Sequence, residues 1–487
     1  MLIMMHDLPW IIIIILLPLT GAIFSFLLPH WVKPLGIIFA LSIVIAVLGL
    51  GLQLLEQGAQ RYEIGGWGAP LGIDLYADGL SLLLLMVTAL SCLAISVYAT
   101  GYFSRAYFKR SRAIYFWPLW MFLWAALNAL FLSADIFNLY VTLELIGLSS
   151  VALIALAGGM DALTAAMRYL FVSLVGSLFY LLGVALLYHS FASLDIAILS
   201  QNTTSTPAVW VAMGLMSIGL LLKTALFPMH FWLPAAHVSA PTPVSALLSA
   251  LVVKASFYIL VRLWLEVFPI SNAALGNLLA LLGCMAILWG GIQALRQTRL
   301  KMLIAYSTVA QIGYLFLAFP LASVIAWKGV FFLLLSHAIA KTALFMAAGN
   351  ILHFGGHDRI ENFDHVVQHQ PLTSVAFALA GVSIIGLPPS GGFVGKWLLL
   401  DAAIQSSQWW LVIIMVIGSL LAAAYIFKVI GYAFTKSRML HQTRKVPLRM
   451  EWTALLLALM AIFLGLIAPW PLTVMDIGLP FSEAALQ

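Results

Sequence analysis

Apolar stretches of about twenty residues, the length a helix needs to cross a bilayer, follow one another along almost the whole chain. Fourteen are read, at roughly 9–28, 34–55, 74–100, 113–132, 135–157, 162–190, 208–228, 240–266, 273–295, 300–320, 326–352, 371–402 (interrupted), 409–434 and 450–475. Only 8% of the 487 residues are charged and 63% are hydrophobic, against about 25% charged in a soluble domain. The pattern predicts an all-α polytopic membrane protein. No soluble domain fits between the spans, and the longest polar stretches are 56–73, 353–370 and 435–450. The N-terminus has no basic n-region and Asp7 is its only early charge, so Trp10 to Leu28 reads as a retained first helix, not a cleaved signal.

The net charge of +6 comes from the loops and does not mark a nucleic-acid surface. Lys33, Arg105, Lys109, Arg110, Arg112, Arg168, Arg296, Arg299, Lys301, Arg359, Lys436, Arg438, Arg444, Lys445 and Arg449 fall in loops after odd-numbered spans. Loops after even-numbered spans carry only Arg61 and Lys328. Cytoplasmic loops carry the Lys and Arg excess, so the odd-numbered loops are expected in the cytoplasm and both termini on the opposite side. The cluster from Arg105 to Arg112 serves as a topology anchor. Cys92 and Cys284 lie in apolar runs and read as packing residues. The sequon Asn202-Thr203-Thr204 falls in a non-cytoplasmic loop.

Six cations lie inside spans: Lys223, Lys254, Arg262, Lys341, Lys396 and Lys428. A charge at a helix centre costs roughly 2.5–3.5 kcal/mol on insertion scales, so each such residue is a functional hypothesis. Lys223 stands five residues before Pro228, where the apolar stretch is expected to break. Polar backbone freed there is tolerated only where it lines a cavity or is buried in protein. A second break is expected at Ile385 to Lys396, where Gly386, Pro388, Pro389, Gly391 and Gly392 cannot sustain a regular helix. Broken spans seven and twelve, five apart, point to an inverted structural repeat.

Glu144 is the one acidic residue well inside a span. A Glu–Lys pair that can be made and broken is a proton switch, because burial and an opposing charge act in opposite senses on protonation. His337 and Lys341, four apart, share a helix face. With Glu144, Lys223, Lys254 and Lys396 they form the candidate relay. Tyr306, Ser307 and Gln311 are weaker candidates for lining the same path. His230 and His237 follow Lys223 and could deliver protons to it from the cytoplasm. His353, His357, His365 and His369 crowd one polar loop but lack accompanying cysteines, and read as solvated. Arg262 and Glu266, four apart, read as an interfacial pair. No P-loop, iron–sulfur cysteine set or haem ligand pair is present, and Gly65 to Gly68 lacks the strand and helix of a dinucleotide site. No cofactor and no metal is expected.

Several of these segments in order resemble the proton-translocating antiporter-like family. That family comprises the antiporter-like subunits of respiratory complex I, their membrane-hydrogenase counterparts and the large subunits of Mrp-type Na+/H+ antiporters. The marks are N-L-Y-V-T-L-E ending at Glu144, K-T-A-L-F-P-M-H-F-W-L-P-A-A-H from Lys223, A-P-T-P-V-S-A-L-L-S-A-L-V-V-K ending at Lys254, K-M-L-I-A-Y-S-T-V-A-Q-I-G-Y from Lys301, and G-L-P-P-S-G-G-F-V-G-K-W ending at Trp397. The resemblance implies inverted repeats formed by spans four to eight and nine to thirteen. The chain then divides into 1–112, 113–266, 273–434 and 435–487. It also implies that Glu144 partners Lys223, that Lys254 relays toward the centre, that His337 and Lys341 are central, and that Lys396 is terminal. The family often has an acidic residue where this chain has Ala235.

Gly65 to Asp78 looks like the start of span three in the Mrp D-type chain, whereas Ser336 to Gly349 looks equally like complex I and hydrogenase members. The complex I subunit with a long lateral helix is disfavoured, because this chain ends too soon. The expected function is a subunit of a Na+/H+ antiporter in the cell (inner) membrane, a transporter subunit with no enzyme activity of its own. Its partners would be other membrane subunits, lipid, H+ and Na+, and no nucleic acid. The alternatives are a proton-pumping subunit of complex I or a membrane hydrogenase, a membrane partner in an inorganic-carbon uptake complex, and a structural scaffold.

Overall fold

The computed structural model describes residues 8–104, 110–268, 273–364, 366–435 and 444–478. Asp7, Arg105, Lys109, His365, Lys436, Arg438 and both chain ends lie outside the described residues. Among those described, thirteen helices are long and apolar enough to cross a membrane. Spans 1 to 7 are Trp10–Leu27, Val32–Gln57, Gly79–Tyr102, Arg112–Leu132, Ile136–Ala155, Met160–Phe191 and Pro207–Thr224. Spans 8 to 11 are Thr242–Val267, Ala273–Arg296, Leu300–Leu321 and Val324–Gly355, and spans 13 and 14 are Trp409–Ala433 and Leu448–Leu466. The expected span 12 is present as two helices of 15 residues, Pro371–Ile385 and Gly391–Gln405. Each alone is too short to cross, and the interruption falls where the Gly and Pro cluster predicts it.

Spans 8 and 11 form the centre. Their most apolar windows are wholly buried, whereas span 13 buries only a third of its window. A helix apolar on every side belongs inside a bundle, and both inner spans carry candidate relay residues. Spans 6 and 7 pack backbone to backbone at Gly176 and Gly219, where a Cβ on Gly219 would overlap the Gly176 carbonyl oxygen. That close approach draws together the helices bearing Ser173 and Lys223.

Three expectations need correction. Residues 74–77, read as the start of span 3, form a strand β2 (Asp74–Ala77) pairing antiparallel with β1 (Gln60–Glu63). A strand therefore does precede Gly65 to Gly68, but only a single 3-10 turn, Ile64–Gly66, follows it, not the α-helix a dinucleotide site needs. Helix 7 ends at Thr224, with Ala225 left-handed at φ 59°, so unwinding begins ahead of Pro228. Arg262 and Glu266 pair at 2.7 Å as their spacing predicts, but not in isolation: Arg262, at 6% exposure, also bonds Asp78 and the Tyr258 hydroxyl (3.1 Å). Asp78 also caps span 3 through Ser81 N at 2.8 Å. One arginine thus ties the head of span 3 to span 8.

The loops sort onto two faces. Arg61, after span 2, bonds Asp195, after span 6. Lys328, at the head of span 11, meets Asp476, beyond span 14, at 2.6 Å. On the other face Arg299, after span 9, pairs with Asp358, after span 11, at 3.0 Å. Lys33, at the head of span 2, donates to the Thr100 carbonyl near the end of span 3 at 3.0 Å. Even-numbered loops meet even-numbered ones and odd meet odd, as the alternation of spans requires.

Candidate functional site

Lys223 lies in the last turn of helix 7, where a cation complements the helix dipole. Its ammonium donates to Glu144 Oε1 of span 5 at 3.1 Å and to Ser173 Oγ of span 6 at 3.0 Å. The Lys223 side chain is 6% exposed and that of Glu144 18%. The helix end is sealed by an indole: Trp232 Nε1 donates to the Leu222 carbonyl at 3.0 Å, and its ring stacks on Tyr169 with centroids 4.5 Å apart.

Lys254 stands two residues beyond a π-helical stretch, Leu248–Val252, and donates to the Ser249 carbonyl five residues back. Widened turns of this kind recur at functional sites. Lys341 donates to the Ile304 carbonyl at 3.0 Å and to Ser307 Oγ. The same Ile304 carbonyl accepts from Ser307 at 2.8 Å and Thr308 at 3.0 Å, while Thr308 Oγ1 and Ser249 Oγ are 2.8 Å apart. The Lys254 and Lys341 sites are thus joined through the Ser249 and Ile304 carbonyls and the paired Ser249 and Thr308 hydroxyls between them. His337, one turn before Lys341, has no partner for Nε2 among the described residues and feels the charges of Lys254, Lys341 and Lys396.

Lys396 has the fullest set of acceptors. It donates to the carbonyls of Ile384 and Ile385, each at 3.0 Å, and to Ser419 Oγ at 3.3 Å, which uses all three ammonium protons. Its nitrogen also stands 4.5 Å from the centre of the Tyr314 ring. In an uninterrupted helix, the carbonyls of Ile384 and Ile385 would accept from residues 388 and 389. Those residues are Pro388 and Pro389, which have no N–H to give. The break that ends the helix thus supplies the lysine with its acceptors. Gly386, at φ 86°, makes the turn, and a Cβ there would come within 2.8 Å of Lys396 Cδ.

The candidate residues fall into two groups. Lys254, His337, Lys341 and Lys396 form a central cluster, and Glu144 and Lys223 form a separate pair. Where spans 7 and 8 meet, next to Lys223, Thr224 and Ser256 hydroxyls are 2.9 Å apart. His230 stacks on Phe227 and meets Tyr306 edge-on. His237 is fully buried against Phe345, within the fields of Lys254, Lys301 and Lys341, so it sits with the central cluster. His353 ends helix 11 and His357 is half-buried, while His369 is exposed. Among the described residues, no three His, Cys, Asp or Glu side chains gather as metal ligands.

Ser173, Ser249, Thr308, Tyr314 and Ser419 were not anticipated. Thr308 and Tyr314 belong to the run of polar residues at helical spacing in span 10, whereas Ser173, Ser249 and Ser419 carry no such signal.

A family model described as NADH:quinone oxidoreductase/Mrp antiporter, TM, matches residues 133–422. NADH-quinone oxidoreductase subunit N of Desulforudis audaxviator (strain MP104C) is 37% identical over 438 residues, covering 87% of this chain and 86% of the relative. The D-type chain of the Na(+)/H(+) antiporter of Bacillus subtilis (strain 168) is 27% identical over 434 residues, 87% of each chain. A chain in the Mrp complex from Dietzia sp. DQ12-45-1b shares the fold, with a TM-score of 0.88 at 23% identity over 98% of both chains.

Proposed function

This chain belongs to the NADH:quinone oxidoreductase/Mrp antiporter family, and on that premise we propose that it is a subunit of a multisubunit Na+/H+ antiporter. The observation that carries the reading is the Glu144–Lys223 pair, at 3.1 Å, on the unwound end of span 7. A buried ammonium that loses its carboxylate partner is a proton donor, and one that regains it is an acceptor. Opening and closing this pair would inject protons toward Lys254, and the central cluster would pass them through His337 and Lys341 to Lys396. His230 and His237 would serve proton delivery. The two five-span repeats, 113–266 and 273–434, would each contribute one broken helix. The odd-numbered loops would face the cytoplasm of a cell (inner) membrane, with other membrane subunits as partners.

The 37% identity to an NADH-quinone oxidoreductase subunit N favours a second reading, a proton pump powered by redox chemistry elsewhere in its assembly. One experiment separates the two. Everted vesicles carrying the chain with its neighbouring subunits are given a pH gradient and then Na+, with no electron donor present. The antiporter reading expects Na+ to dissipate the gradient. Proton movement that ignores Na+ and requires a quinone-coupled electron donor would replace it with the redox-driven pump.

A further inference from the structure

Span 10 carries one polar group per turn on a single face, at Ser307, Gln311 and Tyr314, spacings of four and three that align along a helix. Ser307 Oγ accepts from Lys341, and Tyr314 places its ring beside Lys396. At about 1.5 Å of rise per residue, seven residues put roughly 10 Å between the two lysine sites. Proton transfer needs hydrogen-bond reach, directly or through water. Something must fill the gap.

Gln311 is the middle rung. Its Nε2 donates to the Ile384 carbonyl at 3.2 Å, the same oxygen that accepts from Lys396 at 3.0 Å. Tyr425 of span 13 approaches from across. Its side chain is fully buried and its hydroxyl lies beside Ser307 and Gln311. Yet it meets neither with hydrogen-bond geometry and has no partner among the described residues. The neighbouring Tyr314 hydroxyl, by contrast, donates to the Met415 carbonyl at 3.0 Å. Buried polar groups are almost always satisfied, and a bound water with several polar partners is the usual means where protein atoms fall short.

We infer that Tyr425, Ser307 and Gln311 hold the water through which a proton passes between Lys341 and Lys396, with Tyr425 as the positioning residue. The inference rests on the relay reading above. In the step, the Lys341 ammonium gives a proton to the water as the water gives another to the neutral Lys396 amine. One N–H bond breaks, one forms, the water is regenerated, and nothing is oxidised or reduced.

Tyr425→Phe removes only the hydroxyl. In vesicles containing the assembled complex, proton transport should slow by roughly tenfold or more, the scale of losing a positioned proton-transfer partner. Thermal stability should hold, because the lost hydroxyl bonds no protein atom. The infrared band of an internal water O–H should disappear from the pH-difference spectrum. A wild-type transport rate, or a water band that persists in the variant, overturns the inference. A slowed variant that also melts at lower temperature with its water band intact assigns Tyr425 a packing role and overturns it too. Lys341→Ala in the same vesicles keeps the two ideas apart. If it stops transport while Tyr425→Phe runs normally, only the water link fails. Undiminished transport by Lys341→Ala removes the relay and this inference with it.

Discussion

Lys223 and Glu144 meet at 3.1 Å although 79 residues separate them in sequence, and Ser173 takes a second ammonium proton at 3.0 Å. Truncating either one leaves the other without its charged partner, Lys223 keeping only the Ser173 hydroxyl. Lys223→Ala and Glu144→Ala should each abolish coupled proton movement in vesicles while the chain still inserts. Undiminished transport in both variants would point to the scaffold reading.

Lys254→Arg keeps the positive charge but holds its proton far more tightly. Transport should fall by roughly a hundredfold if this residue must release a proton in each cycle, the range for loss of a general acid–base group. A normal rate would mean that residue 254 acts through its charge alone.

Gly386→Ala places a side chain at φ 86°, 2.8 Å from Lys396 Cδ. A left-handed non-glycine residue costs about 1–2 kcal/mol, and the clash displaces the lysine from its carbonyls. Both the melting temperature in detergent and the transport rate should drop. A stable, fully active variant would show that Lys396 does not depend on this turn.

Asp78→Ala tests the join between the head of span 3 and span 8. Breaking a buried ion pair by removing one partner costs roughly 3–5 kcal/mol, and Arg262 would be left with Glu266 as its acidic partner. The expected result is a large fall in thermal stability, with residual transport in the protein that remains folded. An unchanged melting curve would mean that the two segments hold together without this contact.

Much of the site was legible because charges in apolar sequence are rare. Glu144, Lys223, Lys254, Lys341 and Lys396 stand out at once, and the Gly and Pro cluster located the second break. Hydroxyls carry no such signal. Ser249 and Ser419 look like ordinary span residues until their partners are known, and Tyr425 reads as one more buried aromatic. The unwinding at Ala225 leaves no mark in the sequence, because a left-handed alanine is invisible in composition, whereas Pro228 is a plain helix breaker. The Arg262–Asp78 contact spans 184 residues, which no local pattern reports, while Glu266 sits at the tempting spacing of four. β2 is hidden in the sequence because Asp74 to Ala77 continues smoothly into the apolar run of span 3.

The acceptors at Ile384 and Ile385 are main-chain atoms, and they survive every side-chain truncation. Replacing either isoleucine by alanine would leave the oxygen in place and suggest that neither residue matters to Lys396. The positions that would register are Pro388 and Pro389, whose rings can neither donate nor accept a hydrogen bond. Substituting them restores two N–H groups that compete with the ammonium for those carbonyls and favours an unbroken helix. Scanning mutagenesis would thus locate this cation site at two residues that do not ligate it.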